Sequence, residues 1–573
     1  MPASAKAKAQ QGLAMKRGEA CTSASDEPEQ PMQRLRGWAH HNQNRKGTAT
    51  MEKGFTPMAP HHLRSRSPWL ISTTLALLIG VPAQALQPLP SRPTPSSSSL
   101  QATAKPEEIK IPDEVLSWVD EAISAYQKGD AAEALQLQLK VMEWANARLD
   151  PAHPFRARVL NNLSAFLSAV GRREEALSLS KEAVAFRRIH AKNDPAYLPD
   201  LGLALFTLGT LLGDMGRHQE ALAATTESVN IFSNLAKTNP LVKANLADAL
   251  INQGMALRGL DRHEEALAST EKAVTHYREL AKTNPAYLVD LSSALNNLGA
   301  QNNDLGRPAQ ALPALLEAVK MSRAKSNEPN HLALLGDCLV NLGTTYGLMG
   351  RLKESLTSTD EAVNIHRELV KANSAQLPHL AKAIENKAIA LRGLGRREEA
   401  LQHSQEALTI YRELVKTNPS ATADLAWAVI NVGGDLVSLN RYQDALATSE
   451  EAVKVVRKLA ESNPVYLESL AMVLSNLSVI QIELDHFDQA LAPTQEALNL
   501  IRQLAKSNPA ALDDLAMALL RMGVVQWFLK HPEAARSHIE EARSILRTLA
   551  ATNPKYLEAV QNINNLLQEL NRR

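Results

Sequence analysis

A repeat of 45 residues runs through most of this 573-residue chain and restricts what it can fold into. A turn of the type Gly-Arg-x-x-Glu-Ala-Leu begins at Gly171, Gly216, Asp261, Gly306, Gly350, Gly395, Asn440, Asp485 and Lys530, with one spacing of 44 among spacings of 45. A second marker, Asn-Pro or a relic of it, alternates with the first. Its second residue is Pro195, Pro240, Pro285, Pro329, Ser374, Pro419, Pro464, Pro509 or Pro554. Each unit is thereby cut into two segments of about 20 residues. Units of this size cannot bury an apolar face alone, and stacking them in a row buries one continuous core.

The markers predict that both segments are helices. In Thr283-Asn284-Pro285 the Asn side chain is an N-cap acceptor, and Pro occupies the first helical position, where a missing N–H costs nothing. The first helix is expected from Pro285 to about Asp304, with Gly306 ending it in the left-handed conformation. The second is expected from about Pro308 to Lys325; in neighbouring units it ends in basic residues such as Lys282 and Lys416, which suit the negative end of the helix dipole.

Small residues fall where helix axes must approach. Seven residues before each turn stand Ser164, Gly209, Gly254, Gly299, Gly343, Ala388, Gly433, Ser478 and Gly523. On the second segment an Ala or Ser recurs from Ala176 to Ala535, and again seven residues further on, from Ala183 to Ala542. This pattern, with Leu298-Gly299, Gly306, Ala311 and Ala318 in register, resembles the tetratricopeptide repeat. The resemblance covers about 465 residues and recurs nine times, with a degenerate tenth unit carrying Trp118, Gly129 and Ala134 at its start. The family's usual repeat is shorter, so both helices are longer here, as in the long-helix variants that include kinesin light chains. The resemblance implies an all-α fold: a tandem helix–turn–helix solenoid, coiled as a right-handed α-α superhelix. About ten repeats are expected over 107–553, and a C-terminal capping helix with a polar outer face over 554–573.

The N-terminal part reads differently. Residues 1–57 are polar with no periodic apolar face and are read as disordered. Arg64 and Arg66 then precede an apolar run from Trp69 to Val81, followed by Pro82-Ala83-Gln84-Ala85. Basic flank, short apolar core and Ala-x-Ala end make 58–85 a signal peptide by pattern; the run is shorter than the ~20 residues that span a bilayer. A signal peptide opens a chain, so translation is expected to begin at Met58 or Met51, with 1–57 a start-site artefact. The alternative is a signal anchor or an incidental apolar segment. Residues 86–106 are a Pro/Ser linker. The expected product is exported, periplasmic or secreted, with no stable membrane span after cleavage. Without cleavage it would be cytoplasmic or membrane-anchored.

Chemistry is sparse. There is no Gly-rich phosphate loop, no His-Glu-x-x-His and no nucleophile elbow, so no enzyme, cofactor or metal site is expected. Net charge is +1, which gives no bulk attraction to nucleic acid. Cys21 and Cys338 are too far apart in sequence to suggest a thiolate site. His218, His263, His486 and His531 are read as solvated turn residues, and Lys387, in an apolar register, as a snorkelling side chain.

The resemblance implies that first helices line a concave groove. Nine residues before each turn stand Asn162, Thr207, Asn252, Asn297, Asn341, Asn386, Asn431, Asn476 and Arg521. Asn is a poor helix former, so its recurrence asks for a reason. Two remain open: a ladder of amides binding an extended peptide, or bridges between neighbouring helices. Other groove positions vary: Phe206, Arg258, Asn296, Asn303, Glu385, Arg392, Trp427 and Trp527. Trp and Arg are the strongest anchor types at interfaces, although the two Trp equally suit a partly buried core. The function expected is a scaffold or adaptor binding peptide segments or partner helices. The alternative is an intracellular regulatory or sensor module for a separate effector enzyme.

Overall fold

In the computed structural model the described residues are 110–571, apart from 128–129, 151–152, 328, 418–420, 463 and 508–510. The expectations for 1–57, 58–85 and 86–106 lie outside them. Among the described residues there are twenty-one α-helices and no strand. They fall into two compact units, one within 44–486 and one containing 487–573.

The larger unit holds α1 (Asp113–Gln127), α2 (Ala131–Arg148), α3 (Pro154–Ala169), α4 (Arg173–Asn193), α5 (Leu198–Asp214), α6 (His218–Leu235), α7 (Lys243–Arg258), α8 (His263–Thr283) and α9 (Leu288–Asp304). It continues through α10 (Pro308–Arg323), α11 (Pro329–Leu348), α12 (Leu352–Ala372), α13 (Leu377–Gly393), α14 (Arg397–Thr417), α15 (Thr422–Ser438), α16 (Tyr442–Ser462) and α17 (Leu467–Glu483). Odd numbers are the first helices of repeats and even numbers the second. Each helix packs on the next, and first helices of successive repeats also touch from α3 through α13.

Local chemistry sets the ends. All nine turn markers have positive φ, the five glycines and also Asp261, Asn440, Asp485 and Lys530. The following N–H reaches back five residues, as in Arg172 to Leu167 O and Arg396 to Leu391 O, closing each first helix in a Schellman turn. That following residue is also the N-cap of the second helix, and its guanidinium grips the acid three residues on, as in Arg172–Glu175 and Arg396–Glu399. This is why the marker reads Arg-x-x-Glu.

The other marker differs in detail from expectation. Asn284 accepts from Ala286 N, but Pro285–Tyr287 forms a 3-10 turn, and the α-helix starts at Leu288. Asp194, Asn239 and Asn373 act alike. Ser374 opens the same turn without proline, so the cap rather than the ring sets the conformation.

The small residues pack as their register implies. A Cβ on Gly209, Gly254, Gly299 or Gly343 would lie 2.4–2.8 Å from Thr225, Thr270, Leu315 or Thr359, each sixteen residues later on the facing helix. Ala176, Ala221, Ala266, Ala311 and Ala400 are fully buried. Among the described residues one stretch, Pro195–Asp214, is long and apolar enough to cross a membrane, and much of it is buried as core.

The smaller unit contains α18 (Phe487–Ser507), α19 (Leu512–Phe528), α20 (Pro532–Thr552) and α21 (Leu557–Asn571). Gly523 lies against Ile539, and the rings of Phe487 and Phe528 stack at 4.2 Å. α21 buries Ala559, Ile563, Leu566 and Leu567 and exposes Glu558, Gln561 and Asn565, the pattern of a helix that closes an array.

Candidate functional site

The first-helix row of the larger unit carries a chain of polar links from repeat to repeat. Asn252 donates to Thr210 Oγ1 at 2.7 Å, and Asn341 to Asn296 Oδ1 at 2.8 Å. Thr344 donates to Asn386 Oδ1 at 3.0 Å, and Asn303 to Thr345 Oγ1 at 2.9 Å. Each bond joins one first helix to the next. Asn162, Asn252 and Asn431 are buried, and Asn431 hydrogen-bonds Glu385 of the preceding first helix. The bridging role of these amides is therefore on view in several repeats. Asn297 and Asn476 differ: both are half-buried and make no side-chain hydrogen bond to a described residue.

Several groove candidates are spent on the fold. Phe206 is 2% exposed and belongs to the core, because its register on α5 turns inward. Arg258 pairs with Asp304 of the next first helix. Arg392 grips Asp435 with two bonds, Nε–Oδ1 at 2.6 Å and Nη2–Oδ2 at 3.0 Å, and Ser404 donates to the same carboxylate at 2.6 Å. Trp427 is half-buried on α15, and Trp527 half-buried in the smaller unit. Lys387 pairs with Asp360 at 2.8 Å, so its charge is answered by a side chain. His218 lies against Gly259, where a Cβ would come within 2.4 Å of its ring. That histidine packs on the next repeat and is not simply a solvated turn residue.

A second polar line was missed by sequence reading. Sixteen residues after each turn the second helix has Phe232, Val456 or another apolar side chain in some repeats and a polar one in others. The polar members meet groups on adjacent first helices. Arg187 pairs with Asp200, Tyr277 donates to Asp248, Ser322 meets Ser292, and Tyr411 donates to Glu385 at 3.3 Å. His366 occupies the same register on α12 and points at Asp337 of α11, with Nε2–Oδ1 at 3.5 Å. His379 of α13 reaches that same oxygen through Nδ1 at 2.9 Å, and the two imidazoles stack with centroids 5.6 Å apart. The signal available in the sequence was a register that is polar in some repeats and apolar in others.

Burial controls the charges. It pushes Glu385 up to about 8, aided by Asp424 and opposed by Tyr411 and Asn431. Burial likewise raises Asp290 to about 6, Asp214 to about 7 and Asp248 well above the carboxylate range. It lowers His366 to about 4. Asp337 runs the other way: burial disfavours its charge, but His379 and His366 together hold it below the ordinary value. His379 is raised, first by Asp337. Burial holds Lys382 of α13 down, against the pull of Asp337. Down the register of Asp248 the first helices carry Asp248, Ser293, Asp337, Lys382, Trp427 and Met472 in turn, the first two buried and the last four half-buried.

Comparison with known proteins agrees with this architecture. Residues 114–189 and 290–368 match one tetratricopeptide repeat model, and 380–420 match a second. Segments 191–244, 425–513 and 505–553 match a model of anaphase-promoting complex subunit 5. No curated protein matches the chain. Similar solved structures include the apo form of RapI, at 13% identity over 68% of this chain and 98% of that one, with a TM-score of 0.44. Another is a Rap protein complexed with competence and sporulation factor, at 14% identity over 70% and 99%, TM-score 0.40. A monomeric IFIT1 mutant with Gppp-AAAA matches at 16% identity over 75% and 90%, TM-score 0.35. At these identities the likeness concerns the fold alone. The three matched segments are tetratricopeptide repeats, and the same paired-helix frame recurs in the described residues around them.

Proposed function

We propose that the chain is a protein-interaction scaffold whose first-helix row takes up an extended peptide segment or a partner helix. The observation that supports this is the contrast within the row. The packing positions repeat almost unchanged, while the half-buried register from Asp337 through Lys382 and Trp427 to Met472 changes chemistry at every step. A frame needs no such variety, whereas recognition of a specific sequence does. Asn297 and Asn476 are the ladder members with amide groups left for a ligand, and Trp427 is the aromatic anchor. No catalytic role is assigned. The intracellular sensor reading has no observation of its own beyond the shared fold.

The test compares wild type with a variant carrying Asn297→Ala, Asn476→Ala and Trp427→Ala. Both are immobilised in extract from the native host, and the retained proteins are identified by mass spectrometry. We expect the variant to melt close to wild type, since Ala is the better helix former, and to lose the retained partners. Equal recovery by both proteins would remove the groove as the binding surface.

A further inference from the structure

We propose that Asp337, His366 and His379 form a binding site for a single divalent cation of the zinc class, clamping α11 and α12 of one repeat to α13 of the next. The three side chains offer two imidazole nitrogens and one carboxylate oxygen, all within 4.8 Å of one another. That donor set suits zinc and its neighbours rather than calcium or magnesium, which prefer all-oxygen ligands. Bonds of about 2.0–2.1 Å at tetrahedral angles put ligand atoms roughly 3.3 Å apart. The separations here are 3.5 Å from Asp337 Oδ1 to His366 Nε2 and 2.9 Å from the same oxygen to His379 Nδ1. A tetrahedral ion therefore asks one edge to close by roughly 0.2 Å and the other to open by roughly 0.4 Å.

The state of His366 points to a ligand independently of this geometry. Its side chain is completely buried, and neither ring nitrogen has a hydrogen-bond partner. A buried donor or acceptor left unmade costs about 1–3 kcal/mol. Repeats with Phe232 or Val456 in that register avoid the cost altogether. Room for the ring comes from Gly336, where a Cβ would lie 2.5 Å from Nε2, so the glycine lets the imidazole reach Asp337. Asp337 and His379 keep partial exposure, at 17% and 21%, so the cluster is reachable from solvent. Lys382 is the opposing feature: its ammonium feels Asp337 and raises the energy of a second cation nearby. His366 Nδ1 also lacks the acceptor that usually orients a metal-bound imidazole. Both features weaken the site without changing its donor set.

The experiment uses the untagged full chain. Calorimetric titration with zinc chloride is expected to give one site per chain. Asp337→Asn and His379→Asn should each lower affinity on the order of 100-fold, while His403→Asn, a half-buried histidine paired with Glu406 outside the cluster, leaves it unchanged. His366→Gln should act like the other two; since it alters a core position, cobalt chloride added to wild type supplies a readout that needs no variant. The strong visible bands of low-coordinate cobalt, abolished by equimolar zinc, are expected. Absence of saturable zinc binding, a cobalt spectrum matching the hydrated ion, or unchanged affinity in Asp337→Asn and His379→Asn would overturn the site.

Discussion

Glu385 sits 7% exposed on α13, with one carboxyl oxygen facing the Tyr411 hydroxyl and Asp424 nearby. Burial raises it to about 8, so at neutral pH the folded chain holds a neutral acid that the unfolded chain would ionise. A group raised in the folded state gives stability that is complete below the unfolded value and lost as pH rises through the folded one. The window runs from about 4.3, the ordinary glutamate value, to about 8, at a slope of roughly 1.4 kcal/mol per unit. Glu385→Gln keeps the neutral shape and removes the titration. We expect the variant to match wild type near pH 5 and to melt higher at pH 8, with a flatter profile between. Thermal melting of both proteins across that range checks this, and parallel profiles would refute it. The repeat pattern put Glu385 among the groove positions, and its burial was not readable there. Its protonation was not readable, because that depends on which residues of α14 and α15 surround it.

At the scale of elements, the helices were legible because their ends carry local chemistry. Left-handed turns, Schellman bonds and Asn caps need only residues close in sequence. Even so, Lys530 takes φ 62 with neither glycine nor a short polar side chain, held there because its repeat must turn where its neighbours do. The links between first helices were less legible, since partners lie about one repeat apart. Arg392 was readable as an interface-type residue, yet it is bound to Asp435, which replaces the Leu211, Ala256 or Ile480 of other repeats. The pair is 6% and 1% exposed. Removing one partner of a buried pair leaves an unanswered charge, which costs about 3–5 kcal/mol. Arg392→Met should lower stability by that amount in chemical denaturation. Adding Asp435→Leu and Ser404→Ala should recover most of it, because an apolar replacement of the whole cluster needs no compensation. Failure of the added changes to recover stability would mean that the cluster sets the spacing of α13 and α15 by more than its charges.

At the scale of the whole molecule, the repeat dictates stacking within each unit, but it says nothing of what precedes residue 110, and there the sequence pattern carries the argument. We propose that Arg64 and Arg66, the apolar run Trp69–Val81 and Ala83-Gln84-Ala85 act as an export and cleavage signal, followed in the sequence by a Pro/Ser spacer. Cysteine usage supports the same reading. Removal of the first 85 residues would take Cys21 away and leave Cys338 alone. That thiol is fully buried and pushed well above its ordinary value by burial, with Asp337 adding to the effect, so it is a poor nucleophile and a poor target for oxidation. A mature chain with one inert thiol suits an oxidising compartment, where an accessible cysteine would invite mispairing. We therefore expect the protein isolated from its native host to begin near Leu86. N-terminal sequencing or intact mass decides the matter. A terminus at Met1 or Met58 would refute export by this segment and favour the intracellular sensor reading, because the groove would then meet cytoplasmic partners.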